Sequence, residues 1–255
     1  MGILIAGADD RFLYLKDMLW EMGLDVKMDE GGDYEAADTL IAKYPFSENV
    51  KEGLKTLKDG ATLILLNACA VEDEIKSRFQ VYPLSEDAFF VNENAVLTAE
   101  GAVFMAMKNA AHALTGERAM VIGYGRIGRA LTEMLVGLRS VVTVVSRRES
   151  GRLQAMARGA YAVSPDSIKP LLADEKMIFV TSPDRILDAD ELSYIPKSAY
   201  ICDLSSAPYG VNHEKAKNMG LNAMLESGLP GRYCPLSAAR SMYRAVLRIV
   251  NGGKE

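Results

Sequence analysis

The chain has 255 residues, of which 49% are hydrophobic and 25% charged, so it is long enough for two globular domains with cores of their own. Its formal net charge of −5 argues against a general binder of nucleic acid or of anionic membranes. It has no apolar run that would span a bilayer, and its first apolar run is too short for a signal peptide. We therefore expect a cytoplasmic protein with no membrane partner.

Cysteine and histidine are sparse in this chain. Cys69, Cys202 and Cys234 are widely spaced, and His112 and His213 are far apart, so neither a disulfide framework nor a zinc site is indicated. Cys202 lies in an apolar run and is interpreted as a buried thiol. His213 is interpreted as an exposed residue at a helix start, with an acid–base role as the alternative. We expect no bound metal.

Apolar runs alternate with helical patterns over residues 1–97. Strands are predicted at residues 3–6, 24–28, 39–42, 62–68 and 89–91. Helices are predicted up to residue 22, with Asp9 or Asp10 as the N-cap, and at residues 72–80. Because strands that alternate with helices form parallel sheets, residues 1–97 are predicted to be a Rossmann-like substrate domain.

A long helix is predicted to connect this domain to a second one. Thr98 is suited to be its N-cap, and Gly116 is suited to end it, which places the connecting helix at residues 98–115. Helix capping is also the alternative explanation for Glu100 in its first turn.

Residues 119–148 combine an apolar strand, a glycine-rich turn, an amphipathic helix and a second strand. The turn reads Gly123-Tyr124-Gly125-Arg126-Ile127-Gly128. This is the dinucleotide-binding fingerprint in its strand–turn–helix–strand context. Gly123 permits the tight turn, Gly125 lets the backbone approach a pyrophosphate, and Gly128 lets the helix pack on the strand. The helix start then directs N–H groups and the positive end of its dipole at the phosphates.

The end of the second strand indicates which cofactor is bound. An acidic residue there would accept a hydrogen bond from the ribose 2′-hydroxyl of NAD. Ser146 stands at this place instead, and Arg147 and Arg148 follow it. A hydroxyl and guanidinium groups attract a 2′-phosphate, so we expect NADP, with NAD as the alternative. A solvated pair of loop arginines is the other interpretation of Arg147 and Arg148.

Strands are also predicted at residues 160–163, 177–180, 200–204 and 222–225, and a final helix at residues 237–250. Residues 116–235 are thus predicted to be a complete dinucleotide-binding Rossmann domain, with residues 236–255 as a C-terminal helix that packs back toward an interdomain cleft. The predicted fold class is α/β, with two Rossmann-like, doubly wound domains.

Ligands of open α/β sheets bind at the carboxyl ends of the strands, so the candidate site residues are those that follow strands. Two segments are suited to the nicotinamide end of the cofactor, namely Thr181-Ser182-Pro183 and Leu204-Ser205. Ordinary loop capping is the alternative for the serines. Asp203 is interpreted as a buried residue that orients the loop after it. Four polar side chains are expected to face the cleft from the first domain and the connecting helix: Arg11, Asn92, Asn94 and Glu100.

Several of these segments together resemble the dinucleotide-binding subunit of dipicolinate synthases. The resemblance rests on Gly7 with Asp9 and Arg11, on residues 98–101, on the fingerprint with Ser146-Arg147, on residues 203–210 and on residues 228–231 with Pro235. It covers nearly the whole chain. Tyr209 and Leu236 depart from the pattern of the family, which often has a glycine and a basic residue at these positions.

The resemblance implies an NADP-dependent oxidation of dihydrodipicolinate, or a related dicarboxylate, to pyridine-2,6-dicarboxylate in a branch of the lysine pathway. It implies the mother cell of a spore former as the location, and the partner that it implies is a second, flavoprotein-like subunit. Arg11 and Arg240 are the candidate clamps for the substrate carboxylates. Glu100, or a water molecule, is the candidate proton acceptor. A homo-oligomer is also expected.

Two other functions remain open from the sequence. One is a dehydrogenase for another small carboxylic acid, similar to 2-hydroxyacid or alanine dehydrogenases, although those enzymes rely on a histidine paired with a carboxylate or on a lysine. The other is a regulatory or assembly subunit that binds NADP without turnover of its own, since no clear acid–base pair is visible in the sequence.

Overall fold

Strands and helices alternate along the whole of the part that the computed structural model describes, residues 2–31, 33–67 and 70–252. The strands are β1 (Gly2–Ala6), β2 (Asp25–Met28), β3 (Thr39–Lys43), β4 (Thr62–Leu66), β5 (Gln80–Pro83), β6 (Arg118–Ile122), β7 (Val141–Val145), β8 (Tyr161–Val163), β9 (Met177–Val180), β10 (Tyr200–Asp203) and β11 (Asn222–Leu225). The α-helices are α1 (Asp10–Glu21), α2 (Glu48–Thr56), α3 (Asp73–Arg78), α4 (Ala88–Asn109), α5 (Arg126–Gly137), α6 (Glu149–Ala157), α7 (Lys169–Leu172), α8 (Ala189–Ser193), α9 (His213–Asn218), α10 (Leu229–Tyr233) and α11 (Pro235–Val250).

These elements form two units, one of residues 1–94 with 230–255 and one of residues 95–229. Each unit holds one sheet, and every strand pair within the two sheets is parallel. The predicted fold class of two Rossmann-like parallel-sheet domains is therefore confirmed. The strand predicted at residues 62–68 ends at Leu66, and Ala68 and Cys69 lie outside the described residues.

In the first unit the strand order is β2-β1-β3-β4-β5. The central strands are apolar over nearly their whole length because both faces of the sheet are covered. Successive side chains of a strand point to opposite faces, so Ile3 and Ile5 lie in one core with Phe12 of α1, whereas Leu4 lies in the other with Leu40.

Helix α11 returns the end of the chain to the first unit. Met242 and Val246 lie in the same core as Leu15 and Leu19 of α1. At its far end, Arg248 donates from Nη2 to both carboxylate oxygens of Asp87, at 2.8 and 2.7 Å. Apolar burial and this ion pair together attach α11 to the first unit.

In the second unit the strand order is β11-β10-β9-β6-β7-β8. The chain runs outward from β6 through β7 to β8, and it then returns to the other side of β6 with β9. The carboxyl ends of β6 and β9 therefore flank the point at which the strand order reverses, which is where open α/β sheets bind their ligands.

Helix α4 differs from its prediction. Residues 89–91 were expected to be a strand and Thr98 an N-cap, but α4 runs without a break from Ala88 to Asn109. The Asp87 carboxylate accepts a hydrogen bond from the backbone N–H of Phe90 at 2.7 Å, which satisfies a free donor in the first turn of the helix. The aromatic and β-branched residues at positions 89–91 favour a strand in the sequence, although they form the first turn of a helix. The last strand of this sheet is β5, which was not predicted: its first residue, Gln80, was assigned to the end of the helix at residues 72–80, and residues 81–83 had no assignment.

The division between the two units falls after Asn94, inside α4, and again after Leu229. The boundaries at residues 97, 115 and 235, and the cleft, stay predictions. None of the described helices is both long enough and apolar enough to cross a membrane.

A carboxyl group is buried at the amino end of the second sheet. Glu175 precedes β9 and is fully buried, and neither of its oxygens has a hydrogen-bond partner among the described residues. Burial raises the pKa of Glu175 to about 7, against a smaller opposing effect of the positive charge of Arg118. The native state therefore favours the protonated carboxyl group.

We predict a stability that falls as the pH rises through the range between the ordinary pKa of a glutamate and about 7. A carboxyl whose pKa is raised by folding contributes its full stability below the unfolded pKa and loses it as the pH approaches the folded pKa. Between pH 4.5 and 8, the free energy of unfolding of the wild type should fall by up to about 3 kcal/mol because of Glu175, and Glu175→Gln should abolish this fall. Urea unfolding at a series of pH values measures the free energy. Glu214→Gln, at an exposed glutamate of the same unit, is the control. Equal pH slopes in wild type and Glu175→Gln would contradict this account.

Candidate cofactor site

The glycine turn between β6 and α5 can be built only with glycine at two of its positions. Gly123 has φ of +100°, and a Cβ there would lie 2.5 Å from Oγ1 of Thr181. A Cβ on Gly128 would lie 2.1 Å from the carbonyl oxygen of Gly123, so α5 packs directly onto the turn. A Cβ on Gly125 would meet nothing within 4 Å, which leaves open space beside the backbone at the N-cap of α5. The turn thus has the shape that a pyrophosphate requires.

A cavity of about 300 Å³ opens beside this turn. It is lined by Gly123, Tyr124, Gly125, Val145, Ser146, Arg147, Arg148, Pro165, Thr181, Ser182, Pro183 and Ile186. Nine of the predicted cofactor residues therefore meet in one place, at the carboxyl ends of β6, β7 and β9. Arg126, Ile127, Gly128, Leu204 and Ser205 do not line it. Pro165 and Ile186 carry no signal in the sequence that would have assigned them to a site.

The turn after β7 is held by hydrogen bonds to its own backbone. Arg152 donates from Nη1 to the carbonyl oxygens of Ser146 and Arg147, at 2.8 and 3.0 Å. The Ser146 hydroxyl is buried and donates to the carbonyl oxygen of Arg148 at 3.3 Å. These bonds fix the backbone from which the side chains of Arg147 and Arg148 extend to the cavity.

Arg147, which lines the cavity, forms an ion pair with Asp184, the residue after Pro183 of the same lining. Its Nη2 lies 2.8 Å from Oδ2 of Asp184, and the side chain of Arg147 is 72% exposed. The same carboxylate oxygen accepts a hydrogen bond from the Ser182 hydroxyl at 2.9 Å. Asp184 was not predicted as a site residue, because an aspartate after Thr181-Ser182-Pro183 is indistinguishable from an ordinary turn residue.

At the end of β10, the buried carboxylate of Asp203 fixes the following loop. Its Oδ1 accepts hydrogen bonds from the backbone N–H and the hydroxyl of Ser205, at 3.0 and 2.6 Å. The Ser205 oxygen in turn accepts from the N–H of Gly210 at 2.8 Å. The Leu204 N–H donates to the carbonyl oxygen of Val180. Asp203 therefore orients the loop, as its position at a strand end indicated.

His213 is partly buried and paired, which corrects the expectation of an exposed histidine. Its Nε2 lies 2.9 Å from Oδ2 of Asp203, and its side chain is 28% exposed. Because a carboxylate accepts hydrogen bonds, Nε2 donates to Asp203, and Nδ1 is the ring nitrogen outside this bond. This pair could not be predicted from the sequence, because Asp203 and His213 are ten residues apart and lie on different elements, a strand and a helix.

In the first unit, Arg11 is buried against the end of β1. Its Nε and Nη2 donate to the two carboxylate oxygens of Asp9, at 2.8 and 2.7 Å. Burial would raise the pKa of Asp9, but the hydrogen bonds and the charge of Arg11 outweigh this effect and lower it. A Cβ on Gly231 would lie 2.5 Å from the Arg11 Nε, so the glycine makes room for the guanidinium group. The carboxylate-clamp role of Arg11 stays a prediction.

The other candidates for the substrate site lie on two helices. Asn92, Asn94 and Glu100 are in α4, and Arg240 is in α11, where it is exposed beside Tyr14 and Asp17. Asn92 and Asn94 were expected to follow a strand. In a helix, residues two apart point about 200° from each other, so these two side chains do not share a face. The roles of all four residues stay predictions.

Comparison with known proteins confirms the fold and the resemblance. Residues 90–214 match the family described as D-isomer specific 2-hydroxyacid dehydrogenase, NAD binding domain. A dipicolinate synthase subunit of Bacillus subtilis (strain 168) is 26% identical over 157 residues, which are 62% of this chain and 53% of that protein. The match thus spans about half the length of this curated relative.

Solved structures share the fold over the whole chain. The corresponding dipicolinate synthase subunit from Bacillus halodurans superposes with a TM-score of 0.86 and 20% identity, and the match covers 98% of this chain and 97% of that one. The D-lactate dehydrogenase of Escherichia coli has a TM-score of 0.66 and 16% identity, with 100% and 98% covered. The match of residues 90–214 to the NAD-binding domain of dehydrogenases supports an oxidoreductase that uses a nicotinamide dinucleotide.

We predict that Asp203→Asn destabilises the second unit by about 3 kcal/mol. An amide offers one acceptor and one donor, so either the Ser205 donors lose their acceptor in a buried place or the His213 ring has to change its tautomer to accept from the amide. Chemical unfolding at neutral pH measures the change, with the exposed Asp166→Asn as the control for loss of one negative charge. A loss no larger than that of the control would show that the loop is held by other contacts.

Proposed function

We propose that the protein is a counterpart of the dinucleotide-binding subunit of dipicolinate synthase, an NADP-dependent oxidoreductase that converts dihydrodipicolinate to pyridine-2,6-dicarboxylate. The observation that carries the proposal is the cavity of the second unit, where the glycine turn, the serine at the end of β7 and two arginines meet. The similarity to the dipicolinate synthase subunits of the two Bacillus species supplies the substrate class.

The choice of NADP rests on the charges at the end of β7. The three residues that follow this strand include no carboxylate, and the buried Ser146 takes the place where an NAD-binding protein carries its acid. Arg147 and Arg148 line the same cavity and supply guanidinium donors. Such donors form charge-assisted hydrogen bonds with a phosphate, which NADP has at its 2′ position and NAD lacks.

Different groups around the cavity would bind different parts of the cofactor. The N–H groups of the glycine turn and of the first turn of α5 would bind the pyrophosphate. The hydroxyl groups of Thr181 and Ser182 would hold the nicotinamide ribose, together with the backbone carbonyl groups of Leu204 and Ser205 at the end of the neighbouring strand β10. When bound, the oxidised cofactor supplies the hydride acceptor.

Oxidation of the dihydropyridine ring removes one hydride and one proton and leaves an aromatic ring, so the protein mainly has to orient the substrate and accept the proton. We assign the two substrate carboxylates to Arg11 and Arg240, with Asn92 and Asn94 as further donors. Arg11 is held in place by Asp9, which supports a fixed guanidinium group at this position.

Glu100 is the proposed proton acceptor, and it is exposed on α4. His213 is a second candidate because Asp203 holds its ring through Nε2, with Nδ1 outside this bond. The proposal further includes a homo-oligomer, a flavoprotein-like partner from the same synthase and a location in the cytoplasm of the mother cell, all of which follow from the similarity to dipicolinate synthases.

A second candidate function is a dehydrogenase for another small carboxylic acid. It is favoured by the match of residues 90–214 to 2-hydroxyacid dehydrogenases and by the Asp203–His213 pair, since a histidine held by a carboxylate is suited to the oxidation of a hydroxyl group. Reduction of NADP⁺ with a panel of 2-hydroxy acids, compared with dihydrodipicolinate, separates the two.

We predict that Arg147→Ala weakens NADPH binding about 10- to 100-fold and changes NADH binding by less than about 3-fold, because one charge-assisted bond to the 2′-phosphate is lost. Fluorescence titration measures both dissociation constants. Arg118→Ala is the matched control, since Arg118 begins β6 and thus lies at the opposite edge of the sheet. Tighter binding of NADH than of NADPH by the wild type would overturn the cofactor assignment.

We further predict that Glu100→Gln lowers kcat with dihydrodipicolinate about 100-fold or more while leaving NADPH binding unchanged, as expected for the loss of a general base. Stopped-flow detection of NADPH formation measures the step, and His213→Gln is the matched amide variant. A loss confined to His213→Gln would transfer the proton acceptor to the Asp203–His213 pair. Full activity in both variants would leave water as the acceptor.

A further inference from the structure

We propose that Asp184 is a specificity-determining residue that competes with the cofactor 2′-phosphate for Arg147 and so limits the preference of the cavity for NADP over NAD. This inference rests on the proposed function, because it takes Arg147 as the group that binds the 2′-phosphate. It adds a negative charge to a site for which the sequence indicated only positive ones.

The Arg147–Asp184 pair spans the position where a dinucleotide would lie. Arg147 follows β7 and Asp184 follows β9, and β6 lies between these two strands in the sheet. The glycine turn that follows β6 is therefore flanked by the two partners. Their contact, 2.8 Å from Nη2 to Oδ2, joins Arg147 of the cavity lining to the residue that follows Ser182 and Pro183 of the same lining.

The two partners differ in how firmly they are held. Asp184 lies in a segment that is fixed on both sides, because Ser182 donates to its carboxylate and Arg185 donates from Nη2 to the carbonyl oxygen of Pro208 at 2.8 Å. A Cβ on Gly210 would lie 2.5 Å from the carbonyl oxygen of Ser182, so the loop after β10 packs closely against this segment. Arg147 is long and largely exposed. The arginine is thus the partner that changes its contacts.

An exposed ion pair of this kind is weak, so a phosphate that carries up to two negative charges can displace the carboxylate. The displaced carboxylate remains close to the phosphate because its backbone is fixed, and like charges repel. Asp184 therefore opposes the binding of a 2′-phosphate twice, by occupying Arg147 and by its own charge. A cofactor with a 2′-hydroxyl meets neither effect.

The experiment compares dissociation constants of NADPH, NADH, adenosine 2′,5′-bisphosphate and AMP for wild type, Asp184→Asn, Arg147→Ala and the double variant. We expect Asp184→Asn to tighten NADPH and adenosine 2′,5′-bisphosphate about 5-fold and to change NADH and AMP by less than about 2-fold. In the Arg147→Ala background the gain should shrink, because the competition for the guanidinium group is gone. Asp190→Asn removes an equal charge from a surface pair with Lys169 and is the control.

Asp184→Ser serves as a second variant, which keeps a hydrogen-bonding group beside Ser182 and removes the charge. Unchanged or weaker binding of adenosine 2′,5′-bisphosphate in both variants would overturn the inference, because Asp184 would then not compete with the phosphate or would position Arg147 for it. If Arg147→Ala leaves NADPH binding unaltered, the cofactor assignment itself fails, and the inference fails with it. A gain in Asp184→Asn that equals the gain in Asp190→Asn would reduce the effect to net charge and overturn the competition.

Discussion

The near-contact between Gly128 and the carbonyl oxygen of Gly123 determines the arrangement of the whole cofactor side of this protein. Since no side chain fits between them, α5 begins directly at the carboxyl end of β6. Its free N–H groups are then directed into the space between the ends of β7 and β9. Ser146, Arg147 and Thr181 line the same cavity because the strands that carry them flank this one helix start.

Two aspartates at the carboxyl edge of the second sheet show how burial decides what a carboxylate does. Asp203 is fully buried and accepts three hydrogen bonds, so it holds its loop in one conformation. Asp184 is exposed and shares one oxygen between Arg147 and Ser182, so its contacts can be exchanged for those of a ligand. Asp203 at the end of β10 is thus fixed in its contacts, whereas Asp184 after the neighbouring strand β9 can change them.

The sequence was sufficient for the described strands other than β5, and for most of the residues that line the cavity, because both follow from local patterns. The strands β9 and β11 lie at their predicted residues, and the glycine turn follows from spacing alone. Contacts between residues that are distant in the sequence could not be predicted from local patterns. Phe89 and Phe90 are typical of a strand, but they lie in a helix whose first turn is capped by Asp87. The Asp203–His213 and Arg147–Asp184 pairs join segments that come together only in the folded sheet.

The return of α11 to the first unit imposes an order on synthesis at the ribosome. Residues 95–229 form an uninterrupted stretch, so the second unit has its complete sheet available before α11 has been made. The first unit is synthesised earlier, but Leu15 and Leu19 lack Met242 and Val246 until the last helix emerges. The first unit is therefore completed only after residues 95–229 have been made, and until then the apolar face of α1 lacks the cover that α11 provides.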